Sequence, residues 1–274
     1  MKEQGKVRKP FVSGQFYPDE PHVLEHQIKN FLSRASTKSN PDVHALIVPH
    51  AGYDYSGQIA AEAYKMIEGR TFDSVVIIAF LHHLFLRGVW VDDVDAYETP
   101  LGSVPVDREL AHKIQGFHPL LAHAFAGRLE EHSLEVQIPF LQIVLPGLKI
   151  VPVYIGMQDR VTAKALAEGL AEGIKEKNVL VVATTDLSHF YPYQIAVAKD
   201  QKVISLFESG NVEAIYEAYQ KEEAEACGMG PVLTLLSLAK KMNWKSPSLI
   251  RYANSGDVTG ERGSVVGYAA MAFQ

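Results

Sequence analysis

Short runs of apolar, mostly β-branched residues constrain the fold of this chain more than any other feature. Such runs occupy residues 45–49, 74–79 and 179–183, and strand-like runs alternate with helical patterns along most of the chain. Strands that are apolar on both faces belong to covered sheets, and long helices between them favour crossovers. The pattern predicts an α/β fold with a single domain, whose mainly parallel or mixed central sheet is covered by helices on both faces.

The rest of the chain continues the same alternation. Helical patterns are found at residues 58–67, 107–114, 133–144, 162–175, 196–207, 211–220 and 231–242. Further strand-like runs are found at residues 89–92, 148–155, 249–253 and 263–273. Because no internal repeat or Pro/Gly/Ser-rich linker interrupts the pattern, we predict one domain over residues 1–274.

The composition is that of a soluble globular protein with a substantial core. Apolar residues make up 47% of the chain, charged residues make up 21%, and the net charge is -6. This mild acidity argues against nucleic acid or a membrane surface as the main partner, since both favour basic patches. The single cysteine excludes an internal disulfide, and no apolar stretch approaches the ~20 residues that span a bilayer. With no signal peptide pattern at the start, we predict a cytoplasmic protein.

Histidines follow three of the strand-like runs. His50 comes directly after the first run, His82 and His83 come shortly after the second, and His189 follows the third. In an open α/β sheet, ligands bind outside the carboxyl ends of the strands, and neutral imidazole binds metals. Adjacent residues in an extended segment point to opposite faces, so only one of His82 and His83 is expected to face a shared pocket. The pattern predicts one histidine-rich site.

Asp186 lies three residues before His189 and allows two interpretations. In a helix the two side chains share a face, so the carboxylate could orient the ring or share a pocket with it. Alternatively, Asp186 is a helix cap. Ser188 next to His189 suggests a hydrolase triad, but sequence neighbours rarely have that geometry and no nucleophile-elbow pattern is present.

Two further segments contribute candidate residues. Cys227 precedes a helical pattern, and a helix N-terminus stabilises a thiolate, which is both a nucleophile and a metal ligand. The alternative for Cys227 is a buried apolar side chain. His132 opens another helical pattern and is a candidate for the same pocket, although Ser133 as a cap explains much of that segment.

Taken in order, these motifs resemble the Memo family, whose bacterial and archaeal members are called AmmeMemoRadiSam system protein B. The resemblance extends over nearly the whole chain, and its specificity lies in the ordered set of motifs. They are PHAGY at residues 49–53, the pair His82 and His83, EHSLE at 131–135, DLSH at 186–189, and CG at 227–228.

The resemblance implies a metal site. The Memo family is similar in fold and pocket to the class III extradiol dioxygenases, which are non-haem iron enzymes that use two histidines and a glutamate. Carried over by motif, the metal ligands here are His50, His82 and Cys227. His189 matches the acid/base histidine next to the metal, with Asp186 beside it. Two imidazoles and a thiolate are softer than the usual iron(II) ligands, so iron(II) is expected, and copper or zinc would also bind.

Three functions are compatible with these residues. The first is a non-haem iron or copper redox enzyme whose substrate the residues do not identify. The second is a non-catalytic binding or scaffold protein that uses the same pocket for a small molecule or a phosphopeptide. The third is a zinc-dependent hydrolase.

The family name also implies a radical-SAM protein and a third protein of the AmmeMemoRadiSam system as partners. One departure from many relatives is the bulky stretch 79–81, which replaces a Gly-Pro-Ser/Asn stretch and could narrow the pocket.

Overall fold

The apolar runs form the centre of a mixed sheet in a computed structural model of the chain, which describes residues 6–123 and 130–274. The strands are β1 (Val7–Arg8), β2 (Ala45–Val48), β3 (Ser74–Phe80), β4 (Val89–Val91), β5 (Ala96–Thr99), β6 (Gly102–Pro105), β7 (Ile150–Ile155), β8 (Val179–Thr184), β9 (His189–Tyr191), β10 (Ser248–Asn254) and β11 (Val265–Phe273). The helices are α1 (Pro21–Arg34), α2 (Tyr53–Lys65), α3 (Arg108–Gln115), α4 (Ile138–Val144), α5 (Arg160–Ile174), α6 (Tyr193–Ser209), α7 (Val212–Gln220), α8 (Met229–Met242) and α9 (Ser255–Thr259).

The main sheet has the strand order β10-β11-β2-β8-β3-β7-β4. Its four central strands β2, β8, β3 and β7 are parallel to one another, whereas β4, β10 and β11 pair in the antiparallel direction. Strand β9 pairs with β11 beside this path. The central strands are wholly buried, as their apolar sequences require. The predicted fold class is therefore confirmed.

Helices cover both faces of this sheet, and each face has its own hydrophobic core. Side chains of α3, α5, α6, α7 and α8 pack on one face, and side chains of α1, α2 and α4 pack on the other. A smaller sheet, in the order β1-β5-β6, lies on the side of α1 and α2, where Tyr97 and Val104 enter the core. No helix in the described part of the chain is long and apolar enough to cross a membrane.

Helix α2 begins earlier than the sequence predicts. The sequence predicts a helix from residue 58, after a turn-rich stretch with two glycines at residues 51–57, but the helix already begins at Tyr53 and includes Gly57. A Cβ atom at Gly57 would lie 2.6 Å from the ring of Phe31, so this glycine allows α1 to pack closely on α2. Gly57 is therefore required by the close packing of two helices and does not mark a turn.

The predicted helix at residues 133–144 is only partly correct. A single 3₁₀ turn at Glu135–Gln137 precedes α4, and Ser133 caps neither of them, because its hydroxyl donates to the carbonyl of Phe80. The interpretation of Ser133 as a helix cap is therefore wrong. The segment instead ties the loop before α4 to the end of β3.

Candidate metal centre

Three histidine rings meet at the carboxyl ends of the central strands. His50 follows β2, His82 follows β3, and His132 lies before the 3₁₀ turn; their nearest ring nitrogens lie within 4.8 Å of one another. The rings of His82 and His132 stack with centroids 4.5 Å apart, and His50 meets the two rings edge-on at 5.4 and 5.5 Å. His83 is exposed, so one histidine of the adjacent pair faces the site and the other faces solvent.

The ring of His50 is held by a hydrogen bond at Nδ1, the ring nitrogen that does not face Cys227. Its Nδ1 lies 3.0 Å from the hydroxyl of Thr184, and its Nε2 lies 3.1 Å from the Sγ atom of Cys227. Burial, together with the nearby His132 and His82, holds the pKa of His50 well below its ordinary value. A neutral ring with Nδ1 engaged presents Nε2 to a metal ion.

Glu131 orients the second histidine. Its carboxylate oxygens lie 2.9 and 3.0 Å from Nδ1 of His82 and accept the backbone N–H of the same residue. Burial would raise the pKa of Glu131, but the hydrogen bonds and charge of His82 and the N–H of Ser133 lower it to about 2. The ionised carboxylate holds Nδ1 of His82 as a donor and leaves Nε2 free to bind a metal.

Cys227 and Asp186 also lie beside Nε2 of His50. Ligand atoms of these three residues also lie within 4.8 Å of one another, and the backbone N–H of Asp186 donates to Sγ of Cys227 at 3.1 Å. Burial, with the nearby Asp186 charge, raises the pKa of the Cys227 thiol well above its ordinary value. Burial also raises the pKa of Asp186 to about 7, against the stabilising backbone N–H of His50. Burial and the nearby Asp186 charge therefore favour the neutral thiol of Cys227 over the thiolate that its position before a helix predicts.

Both sequence interpretations of Asp186 and His189 as helical residues are wrong. No helix begins at this segment; residues 185–188 connect β8 to β9, and α6 begins only at Tyr193. The Asp186 carboxylate accepts the backbone N–H of His50 at 2.9 Å and so ties the end of β2 to the end of β8. The ring of His189 lines a cavity that Cys227 also lines, and burial lowers its pKa despite the nearby Glu225.

His132 is half-buried and packs against the N-terminal segment. The ring of Phe16 lies 4.8 Å from it, and burial lowers the pKa of His132 to about 4 although Glu131 acts in the opposite direction. The buried carboxylate of Glu135 holds this N-terminal segment by accepting from the N–H groups of Phe11 and Val12 and from the hydroxyl of Tyr17.

The arrangement offers two overlapping sets of ligands that share His50. One set is His50, His82 and His132, and the other is His50, Asp186 and Cys227. The resemblance predicts the ligands His50, His82 and Cys227. These combine the shared His50 with His82 from the first set and Cys227 from the second, and this ligand trio stays a prediction. Nitrogen and sulfur donors of this kind suit iron, copper and zinc, so the residues fit a transition-metal ion.

Sequence reasoning missed the roles of two residues that shape this site, and it anticipated a third, Phe80, as part of the bulky stretch 79–81. Thr184 orients His50, and Glu131 orients His82. The ring of Phe80 lies 4.0 Å from that of His82, which shows that the bulky stretch before the histidine pair packs directly against the site. Thr184 could have been found as the polar residue at the end of a buried strand, and Glu131 as the acid beside a candidate histidine.

Comparisons with known proteins agree with the motifs. The family model described as Memo-like protein matches residues 8–272. A MEMO1 family protein of Sulfolobus acidocaldarius is 36% identical over 283 residues, which cover 97% of this chain and 99% of the relative. A MEMO1 family protein of Pyrobaculum arsenaticum is 36% identical over 278 residues, which cover 98% and 99%.

One solved structure supports the fold alone. It is the crystal structure of an uncharacterized protein from Escherichia coli K12, with a TM-score of 0.56 and 16% identity, and the match covers 83% of this chain and 98% of the other. The family match spans nearly all of the chain and includes every strand-end histidine described above. This chain belongs to the Memo family.

Proposed function

We propose that this protein is a metal-dependent redox enzyme in which His50, His82 and Cys227 hold iron(II) or copper. The observation that carries the proposal is the position of His50, whose Nε2 lies 3.1 Å from the Cys227 sulfur while its ring meets that of His82 edge-on. Three protein ligands leave positions open for a substrate, as catalytic sites require and closed structural sites do not.

The residues around these ligands support a reactive site. A bound iron(II) or copper ion would supply one-electron chemistry towards O₂ or a substrate. Glu131 and Thr184 fix the rings of His82 and His50, so the ligands need little reorganisation when a metal binds. His189, whose pKa is lowered by burial, is neutral near pH 7 and can accept a proton at the wall of the adjoining cavity.

Metal binding tests the ligand set first. Protein loaded anaerobically with iron(II) is expected to hold a stoichiometric amount of metal, and Cys227→Ala is expected to lose most of it. His132→Ala is the matched control, because His132 belongs to the three-histidine set and not to the proposed trio. Wild-type metal content in Cys227→Ala together with loss in His132→Ala would remove the cysteine from the site.

Redox function requires a second measurement. The iron(II)-loaded protein is expected to consume O₂ in the presence of an organic reductant, and His189→Ala is expected to slow this reaction without loss of metal. The zinc-loaded protein is the control, since zinc has no redox chemistry. Hydrolytic activity that survives strict exclusion of O₂, with no O₂ uptake by the iron form, would overturn the redox assignment.

A further inference from the structure

A cavity of about 490 Å³ adjoins the candidate metal centre. His189, Cys227, Tyr191 and Tyr219 are among the residues that line it. Because the Cys227 sulfur also lies beside His50, a molecule in this cavity would reach the metal ligands directly. A concave site with aromatic walls and a few polar groups is typical of pockets for small organic ligands.

The charge of the cavity wall is negative. Glu222 and Glu225 line the cavity, and no lysine or arginine of the described chain lines it. The Glu225 carboxylate is already matched by Lys199 at 3.5 Å, whereas Glu222 forms no ion pair with any residue that the structure describes. Glu222, an exposed residue of this wall, therefore carries a carboxylate that no described ion pair compensates, and its charge favours cations over anions in the cavity.

Lys199 does not line the cavity but contacts two residues that do, and these contacts show the environment that the wall residues offer to an ammonium group. Its Nζ lies 4.5 Å from the centroid of the Tyr191 ring and 3.5 Å from a carboxylate oxygen of Glu225. An aromatic face together with a carboxylate is a favourable environment for an organic cation. Tyr219 and Glu222 place a second aromatic ring and a second carboxylate among the lining residues, and no cation of the described chain pairs with either of them.

The backbone at this wall adopts a costly conformation. Glu222 follows the end of α7 with φ at 58°, in the left-handed region where helices usually place glycine. Phe190, between His189 and Tyr191, has φ at 65° and an exposed ring. Three non-glycine residues of the described chain have positive φ; of these, Glu222 lines the cavity, and Phe190 lies in the chain between two lining residues. Side chains kept at strained positions are concentrated at functional sites.

A second cavity lies beside the first. Its volume is about 330 Å³, and it shares Gln158 and Tyr219 with the first cavity. Phe80, Phe85 and other apolar side chains line it. A ligand that occupies both cavities combines a positively charged group beside Glu222 with an aromatic or aliphatic group towards Phe80.

We infer that the two cavities form the substrate pocket and that they select an organic amine with an apolar group, with Glu222 as the residue that recognises its positive charge. This inference adds a substrate class to the proposed function. It rests on that function only for the reaction of the bound amine at the metal. Recognition itself depends on the cavity wall, so it can be measured in protein from which metal has been removed.

The test compares three probes of similar shape and different charge. They are 2-phenylethylamine, 2-phenylethanol and phenylacetate, titrated into purified protein before and after chelator treatment and followed by calorimetry or ligand-observed NMR. The amine is expected to bind about fivefold more tightly than the alcohol, and the anion more weakly still, as one exposed charge allows. Glu222→Gln is expected to remove the advantage of the amine and leave the alcohol unchanged.

Glu223→Gln is the matched control, because it removes the same charge one residue away, from a carboxylate that pairs with Lys202 at 3.0 Å. It should leave the preference for the amine intact. The inference is overturned if none of the probes binds, if phenylacetate binds as tightly as the amine, or if both variants weaken the amine equally. Loss of metal binding with retained amine preference contradicts the proposed function alone, and metal binding without amine preference contradicts this inference alone.

Discussion

Glu131 is the residue on which the geometry of two neighbouring histidines depends. It is 2% exposed, and its carboxylate accepts the Nδ1–H and backbone N–H of His82 and the backbone N–H groups of His132 and Ser133. The ionised carboxylate therefore fixes both the ring of one candidate ligand and the backbone of another.

Replacement of Glu131 by glutamine should weaken metal binding. The amide keeps the size of the side chain but loses the charge and one acceptor, so His82 is held less firmly and is a poorer ligand. We expect an affinity for zinc(II) that is about 10- to 100-fold lower in competition with a chromophoric chelator. Glu135→Gln makes the same chemical change four residues later, on a carboxylate that binds the N-terminal segment. Equal losses in the two variants would show that Glu131 acts only through general stability.

The candidate site is only partly readable at the level of single residues. His50 and His82 can be predicted because they follow buried strands, and parallel strands bring their carboxyl ends to the same edge. Cys227 lies far along the chain, and only the ordered motifs of the family connect it with them. The roles of Thr184 and Glu131 depend on which ring nitrogen faces the site, which no spacing in the sequence encodes.

At the level of elements, the start of α8 is fitted closely to the end of β8. A Cβ atom at Gly228 would overlap the carbonyl oxygen of Thr184 and lie 2.8 Å from Cβ of Thr185. The Gly228 N–H also donates to the hydroxyl of Thr185 at 2.8 Å. Since Cys227 directly precedes this contact, the glycine allows the cysteine to reach His50.

Gly228→Ala should therefore both destabilise the fold and displace Cys227. We expect a loss of about 1–3 kcal/mol in the free energy of unfolding, typical of overpacking, together with weaker metal binding. Urea denaturation and metal titration measure the two effects. Gly230→Ala is the control, because the atoms nearest to its new Cβ would belong to the side chain of Gln158, at 3.3 Å. A Gly228→Ala variant as stable as Gly230→Ala would contradict the close fit.

The elements that were predicted well are those with a continuous apolar pattern. Strands β2, β3 and β8 were found because complete burial requires such runs. The sequence does not predict the start of α2, because Gly57 is typical of a turn there, whereas the structure needs this glycine for close packing against Phe31 within the helix. Strand β9 was missed because its three residues pair only with β11 and are not fully buried, so no periodic pattern marks them.

At the scale of the whole molecule, the small sheet is joined to the main sheet by a buried ion pair. Arg8 of β1 lies 3.1 Å from the carboxylate of Asp92, just after β4, and both side chains are less than 10% exposed. Asp92 also accepts the hydroxyl of Tyr97 in β5, and Arg8 donates to the backbone carbonyl of Glu131. One network thus connects both sheets with the segment that carries His132.

Removal of one charge from this network should cost more than removal of both. We expect Arg8→Met to lower the free energy of unfolding by about 3–5 kcal/mol, because it leaves the Asp92 carboxylate buried without its partner. The double variant Arg8→Met/Asp92→Asn should be more stable than Arg8→Met, since no uncompensated charge remains. Lys6→Met is the control: its pair with Asp93 is largely exposed and should contribute less than about 1 kcal/mol. Urea denaturation of the three variants and the parent checks this order, and a double variant less stable than Arg8→Met would show that the charge on Asp92 is compensated elsewhere.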